Sequence, residues 1–231
     1  KGLIPELLKK FQRAGGKALL TLSGNEEECI ETLKLYDKYK ENPYINIYIG
    51  LGYHPEYYIP NSSSKTHINS FDKLSSALDT LTDLVENNQD ILSAIGETGL
   101  DYYWLDDDSI DADQRAQIIE MQKMSFRKHL ELAIDHNLPL SIHSRNAKNN
   151  NQCTKDTLNI ICEFGVGDME KIRGSFHSYT GDTKNLEHIL DLGFFVGFNS
   201  IITYKSGGPV RELLKLTPQD KILFETDGPY L

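Results

Sequence analysis

Short apolar runs alternating with segments of helical spacing occupy almost the whole of this 231-residue chain. The runs are Ala18–Leu22, Ile45–Leu51, Ile91–Gly96, Leu138–Ile142, Ile172–Phe176, Phe194–Phe198 and Ile222–Glu225. Between them, apolar residues recur at helical intervals over 3–14, 25–39, 71–87, 114–136, 154–164, 182–192 and 208–215. Asn25 is the expected N-cap of the second helix, with Glu28 three residues later. Strict alternation of this kind implies parallel strands joined by helical crossovers. Periodicity does not count barrel strands, so an open doubly wound sheet remains an alternative. The first element is a helix, and the chain stops four residues after Asp227, where a further helix is expected. We therefore expect a TIM-type (β/α)8 barrel, one domain over residues 1–231, lacking its first strand and last helix.

Composition narrows the function classes. No apolar stretch reaches the roughly 18 residues that a membrane span needs, and no signal-peptide pattern opens the chain. Cys29, Cys153 and Cys162 are odd in number and match no zinc spacing, which fits a reducing intracellular compartment, cytoplasmic or nuclear. Twenty-four basic against 34 acidic residues give a net charge of −10, which argues against a broad electropositive nucleic-acid surface. A nuclease remains compatible, because bound cations supply positive charge where a phosphate reacts. Six of the acids lie between Asp101 and Asp113, read here as a solvated acidic loop that also restricts which nucleic acids approach.

Four of the apolar runs end on a residue able to hold a metal: Glu97, His143, His177 and Asp227. In a (β/α) barrel the strand ends converge on one mouth, where the chemistry takes place. Two carboxylates and two imidazoles there make a hard-to-borderline divalent site. Each residue also has a structural reading. Glu97 suits a cap or a salt bridge, and His143 and His177 suit hydrogen-bonded structural histidines. Asp227 can bind a cation or accept a proton from a bound water. Glu225 shares its side of the strand by alternation and can orient a ligand, or serve as an interior structural acid. Arg145 can hold a phosphate oxygen by a forked contact. His54, stiffened by Pro55, can contact a scissile phosphate, act as an acid, or simply sit in a loop. His67, His129, His136 and His188 receive no role.

Five blocks occur in order: Gly52-Tyr53-His54-Pro55, Ile95-Gly96-Glu97-Thr98-Gly99-Leu100-Asp101-Tyr102, Leu138-Pro139-Leu140-Ser141-Ile142-His143-Ser144-Arg145, Phe176-His177-Ser178-Tyr179-Thr180-Gly181 and Glu225-Thr226-Asp227-Gly228-Pro229-Tyr230. Together they resemble the TatD family of metal-dependent deoxyribonucleases, in its eukaryotic style, over residues 24–231. The resemblance implies a (β/α)8 barrel holding one or two divalent cations, with Mg2+ expected and Mn2+ or Zn2+ as alternatives. It implies hydrolysis of DNA phosphodiesters, with 3′ to 5′ exonuclease action on single-stranded or 3′ ends; separately, we expect a monomer and no membrane partner. It makes Glu97 the bridging metal ligand, His143 and His177 metal ligands, Asp227 the acid serving metal and attacking water, and His54 a neighbour of the substrate phosphate.

One departure stands out. The family's first strand carries an Asp-x-His-x-His motif, and no His-x-His occurs in these 231 residues. We expect that segment to lie upstream of Lys1, and residues 1–231 alone to bind metal and cleave poorly. Two alternatives follow. The same mouth can hydrolyse another ester or amide, including aminoacyl-tRNA, or deaminate a base. If the histidine pair is truly absent, the barrel serves as a non-catalytic binding protein.

Overall fold

The computed structural model describes residues 3–60, 67–148 and 150–228. Pro229 and Tyr230 of the last block lie outside the described residues. In chain order the elements are α1 (Leu3–Arg13), β1 (Ala18–Leu22), α2 (Glu26–Tyr39), β2 (Asn46–Leu51), α3 (Phe71–Glu86), β3 (Leu92–Asp101) and α4 (Ala112–Asp135). They continue as β4 (Leu140–Arg145), α5 (Gln152–Cys162), α6 (Val166–Met169), β5 (Gly174–Phe176), α7 (Thr183–Asp191), β6 (Phe195–Phe198), α8 (Gly208–Leu216) and β7 (Ile222–Phe224).

The strands form one parallel sheet in sequential order β1 to β7, the arrangement expected of alternating strands and helices. Residues at or beyond the C-terminal ends of β1, β2, β3, β4, β5 and β7 line one cavity. A flat sheet does not bring so many strand ends together. The sheet is therefore curled into a half-barrel, its two edges being β1 and β7. The central strands β3 and β4 expose no residue, whereas the edges leave Leu20, Leu223 and Phe224 exposed. No helix among the described residues is long and apolar enough to cross a membrane.

Local chemistry accounts for the element ends. Asn25 caps α2, its Oδ1 accepting from the Glu28 amide at 3.0 Å. The long helix α4 begins two residues earlier than periodicity indicates, because Asp111 and Gln114 form a reciprocal capping box. Its inner face buries Ile118, Met121, Phe126, Leu130 and Ala133 against the sheet. Phe176 on β5 is fully buried, edge-on to Phe194 at 5.4 Å and to Tyr179 at 6.4 Å between ring centroids.

Two strand ends correct the expected boundaries. β3 runs to Asp101 rather than Gly96, and β4 to Arg145 rather than Ile142. Gly96 and Gly99 read as turn signals, but the chain continues through them as a bulged strand. The register slips by one residue between Ile95 and Thr98. Gly99, at φ +136°, packs so closely on the backbone of His143 that a Cβ would collide with that carbonyl. The bulge sets the direction in which Glu97 points. The four-residue helix α6 carries too little periodic signal to be seen from sequence.

Candidate metal centre

His54, Glu97 and His143 come together at the mouth, one potential ligand atom from each lying within 4.8 Å of the others. Glu97 Oε1 is 3.2 Å from His143 Nδ1 and 3.6 Å from His54 Nε2. The two rings meet edge to face at 4.3 Å between centroids. His143 Nε2 turns the other way, to Asp101 Oδ2 at 3.1 Å. A second group forms around His177, whose Nδ1 lies 2.9 Å from Glu225 Oε2 and whose Nε2 lies 3.6 Å from Asp227 Oδ1. His54, Glu97, His143, Arg145, His177 and Asp227 all line one cavity of about 900 Å³.

Both imidazoles follow one pattern. One nitrogen is anchored on a carboxylate set behind it, Asp101 for His143 and Glu225 for His177. The other nitrogen faces a carboxylate at the cavity, Glu97 or Asp227. An anchored N–H fixes ring orientation and leaves the opposite nitrogen free as a ligand. Glu225 reaches His177 across β6 because position 197 is glycine: a side chain there would collide with the Glu225 carboxylate. Ser178 holds a left-handed conformation at φ 47°. Its amide donates to Glu225, and its Oγ accepts from Asn199 Nδ2 at 2.6 Å, which together fix the turn that presents His177.

His54 has its tautomer set. Nδ1 accepts the Glu56 amide at 3.2 Å, so the ring proton of the neutral imidazole sits on Nε2. Burial, followed by the charge of His143, lowers its pKa, which keeps it neutral. A neutral Nε2–H is a donor, suited to a phosphate oxygen or to Glu97, rather than a metal ligand.

Three further residues support the site. Asp101, counted above with a solvated acidic loop, is fully buried. It lies two residues beyond Gly99, which pairs with His143, so alternation past the bulge puts it on the His143 face; with the strand expected to end at Gly96, no sequence signal finds it. Gln122 accepts from the Asp101 amide at 3.0 Å and donates to the Asp101 carbonyl at 3.1 Å and to the Pro55 carbonyl at 3.4 Å. His129, wholly buried, accepts the Tyr53 amide at 2.9 Å. Helix α4 thus ties the strand end bearing Asp101 to the turn bearing His54. Helical periodicity makes Gln122 and His129 core positions and says nothing of their partners.

The donor set fits a divalent cation. Four carboxylates and three imidazoles crowd the mouth, and without a cation two imidazoles take up protons instead. Burial alone would lower His143, but hydrogen bonds to Asp101 and Glu97 outweigh it and raise the pKa from 6.5 to about 9. His177 rises to about 11, burial again being overcome by Asp227 and Glu225. Glu97 falls well below the usual carboxylate range, its burial outweighed by His143, His54 and His177. Stability from a raised histidine pKa is complete below the unfolded value of 6.5 and is lost as pH rises through the folded value. The metal-free protein is therefore expected to lose Tm between about pH 6.5 and 9 as His143 deprotonates. Cation binding needs those same nitrogens free of protons. Added Mn2+ should raise Tm more at pH 8.5 than at pH 6, and a larger rise at pH 6 would contradict this electrostatic account.

Comparison with known proteins gives the same picture. The family model described as TatD related DNase matches residues 3–231. A protein of Buchnera aphidicola subsp. Baizongia pistaciae named an uncharacterized metal-dependent hydrolase is 34% identical over 228 residues, covering 99% of this chain and 71% of its own length. The Bacillus subtilis YabD protein, named in the same way, is 30% identical over 185 residues, 80% of this chain and 60% of its own. The crystal structure of YjjV, a TatD homolog from Escherichia coli, superposes with a TM-score of 0.72 at 22% identity, over 99% of this chain and 75% of that one. On these grounds the chain belongs to the TatD-related DNase family of metal-dependent hydrolases.

Proposed function

We propose that the protein is a metal-dependent deoxyribonuclease acting on single-stranded DNA from 3′ ends, the polarity being the one that the family resemblance implies. The observation that carries this reading is the single cavity into which Glu97, His143, His177 and Asp227 open beside Arg145. Among the described residues no carboxylate pairs with Arg145, whose guanidinium instead lies 3.9 Å over the Tyr103 ring. An unneutralised guanidinium beside an acid–imidazole set suits a phosphate.

Glu97, His143, His177 and Asp227 would hold the cation, with Mg2+ the first choice and Mn2+ and Zn2+ compatible with the same donors. A bound cation would supply the charge that polarises a phosphoryl oxygen and acidifies a water. Asp227 Oδ1 is placed as the proton acceptor for the attacking water. His54 Nε2–H donates to a phosphate oxygen, and the Arg145 guanidinium holds another and offsets the charge that grows on it. Asp101 and Glu225 keep the His143 and His177 rings in orientation.

A second reading keeps the centre and changes the bond. Glu28 and Glu56 also line the mouth, and the chain carries a net charge of −10, features that favour an uncharged ester or amide over a polyanion. The full-length protein should be offered single-stranded DNA, RNA, aminoacyl-tRNA and a small ester with Mg2+, Mn2+ or Zn2+. DNA cleavage abolished by EDTA is expected. Product from the ester but none from DNA removes the nuclease reading.

A further inference from the structure

We infer that Trp104 is the stacking platform on which an unpaired nucleobase settles beside the reacting phosphate; this rests on the nuclease reading and names the residue that selects single strands. Trp104 lies in the 3-10 turn that follows β3, lines the same cavity as Glu97, His143 and Arg145, and leaves 42% of its surface exposed. An indole kept in solvent contributes little to the core, yet this one is fixed. Its Nε1–H donates to Glu56 Oε1 at 3.0 Å, and the Tyr103 ring braces it edge to face at 5.3 Å between centroids and 86°. The Arg145 guanidinium sits over the indole at 5.5 Å from its centroid, so a charge suited to phosphate adjoins a flat apolar ring. A nucleotide presents those same two groups.

Tyr204 enters the cavity from the loop after β6, 44% exposed. Arg211 holds its turn by donating to the carbonyls of Ile202 at 2.8 Å and Tyr204 at 2.9 Å. Fixed aromatics lining a groove accept successive bases of a single strand without reading their sequence, because every base has a π face. A duplex keeps its bases stacked inside and brings two phosphate backbones to a mouth that carries Glu28, Glu56 and Asp227. An unpaired end instead brings one backbone and a free base. Platform and charge together therefore favour the single strand.

Trp104 is the single tryptophan of these 231 residues, so stacking has its own optical signature. The experiment uses full-length protein carrying Asp227→Asn to stop turnover, with Mn2+ present. The probes are a single-stranded oligothymidylate and the same oligomer with abasic tetrahydrofuran sites at its last two 3′ positions. Binding is read by anisotropy of labelled oligomers, and stacking by indole emission after subtraction of the matched Trp104→Phe protein. Saturable quenching by the normal oligomer and none by the abasic one is expected. Trp104→Ala should weaken binding of the normal oligomer about 5- to 100-fold. It should barely affect the abasic one, and Trp104→Phe should retain most of the affinity. Binding with unchanged indole emission, or a Trp104→Ala protein that still discriminates between the oligomers as strongly as the parent, overturns the stacking role alone. If the protein carrying native Asp227 neither binds nor cleaves DNA, the nuclease reading falls, and this inference falls with it.

Discussion

Glu97→Ala in the full-length protein should lower metal-dependent turnover by at least about 10³-fold, the upper range for removing one preorganised charge-stabilising group. Glu97 Oε1 stands between His143 Nδ1 at 3.2 Å and His54 Nε2 at 3.6 Å, so one substitution takes the anion from two imidazoles and a ligand from the proposed cation site. Glu97→Gln separates charge from shape. It fills the same volume and keeps a hydrogen-bonding oxygen, but no longer neutralises a cation. Turnover should fall as far as in Glu97→Ala, and calorimetric titration should show weakened Mn2+ binding. Adding Asp227→Asn to Glu97→Gln should cost little more, because groups acting on one reacting centre are not additive. Turnover within threefold of the parent in Glu97→Gln, measured on protein free of other nucleases, would sink the assignment of this site.

Phe176→Ala should destabilise the protein by about 3–5 kcal/mol, the usual range for truncating a buried aromatic to alanine. At about 2–4 °C per kcal/mol for a chain of this size, Tm should fall by roughly 6–20 °C. Phe176 is fully buried, and two aromatic neighbours would then line the void. Phe71→Ala at the start of α3 is the matched control. The same side chain is 45% exposed there, and its loss should change stability by no more than about 1 kcal/mol. A similar fall in both variants, by denaturant or thermal unfolding, would show that packing around β5 does not carry the load assigned to it. Because β5 presents His177, partial loss of metal affinity is expected to accompany the Phe176 change.

The strands and helices were largely legible because each carries a local signal. Ala18–Leu22 is bounded as the apolar run indicates, and Asn25 caps the helix that its side chain announces. Parallel pairing followed from alternation alone. The ends of β3 and β4 were not legible. Gly96 and Gly99 look like turn glycines along the chain and become bulge glycines only when β4 lies against them. Asp101 shows the same limit. Among five other aspartates within 13 residues it has the composition of a solvated loop, and its burial depends on His143 and Gln122, distant in sequence.

What the sequence by itself determined is the order of elements, the parallel sheet, and the residue types offered at successive strand ends. Those properties are local, written in hydrophobic period, caps and short blocks. Only the tertiary structure decided which nitrogen of each histidine faces which acid, that Glu225 crosses β6 over a glycine, and that Trp104 stands fixed and half-exposed beside Arg145. Such facts depend on the curl of the sheet and on side chains far apart along the chain. A one-dimensional pattern carries neither angle nor distance between residues that meet only after folding.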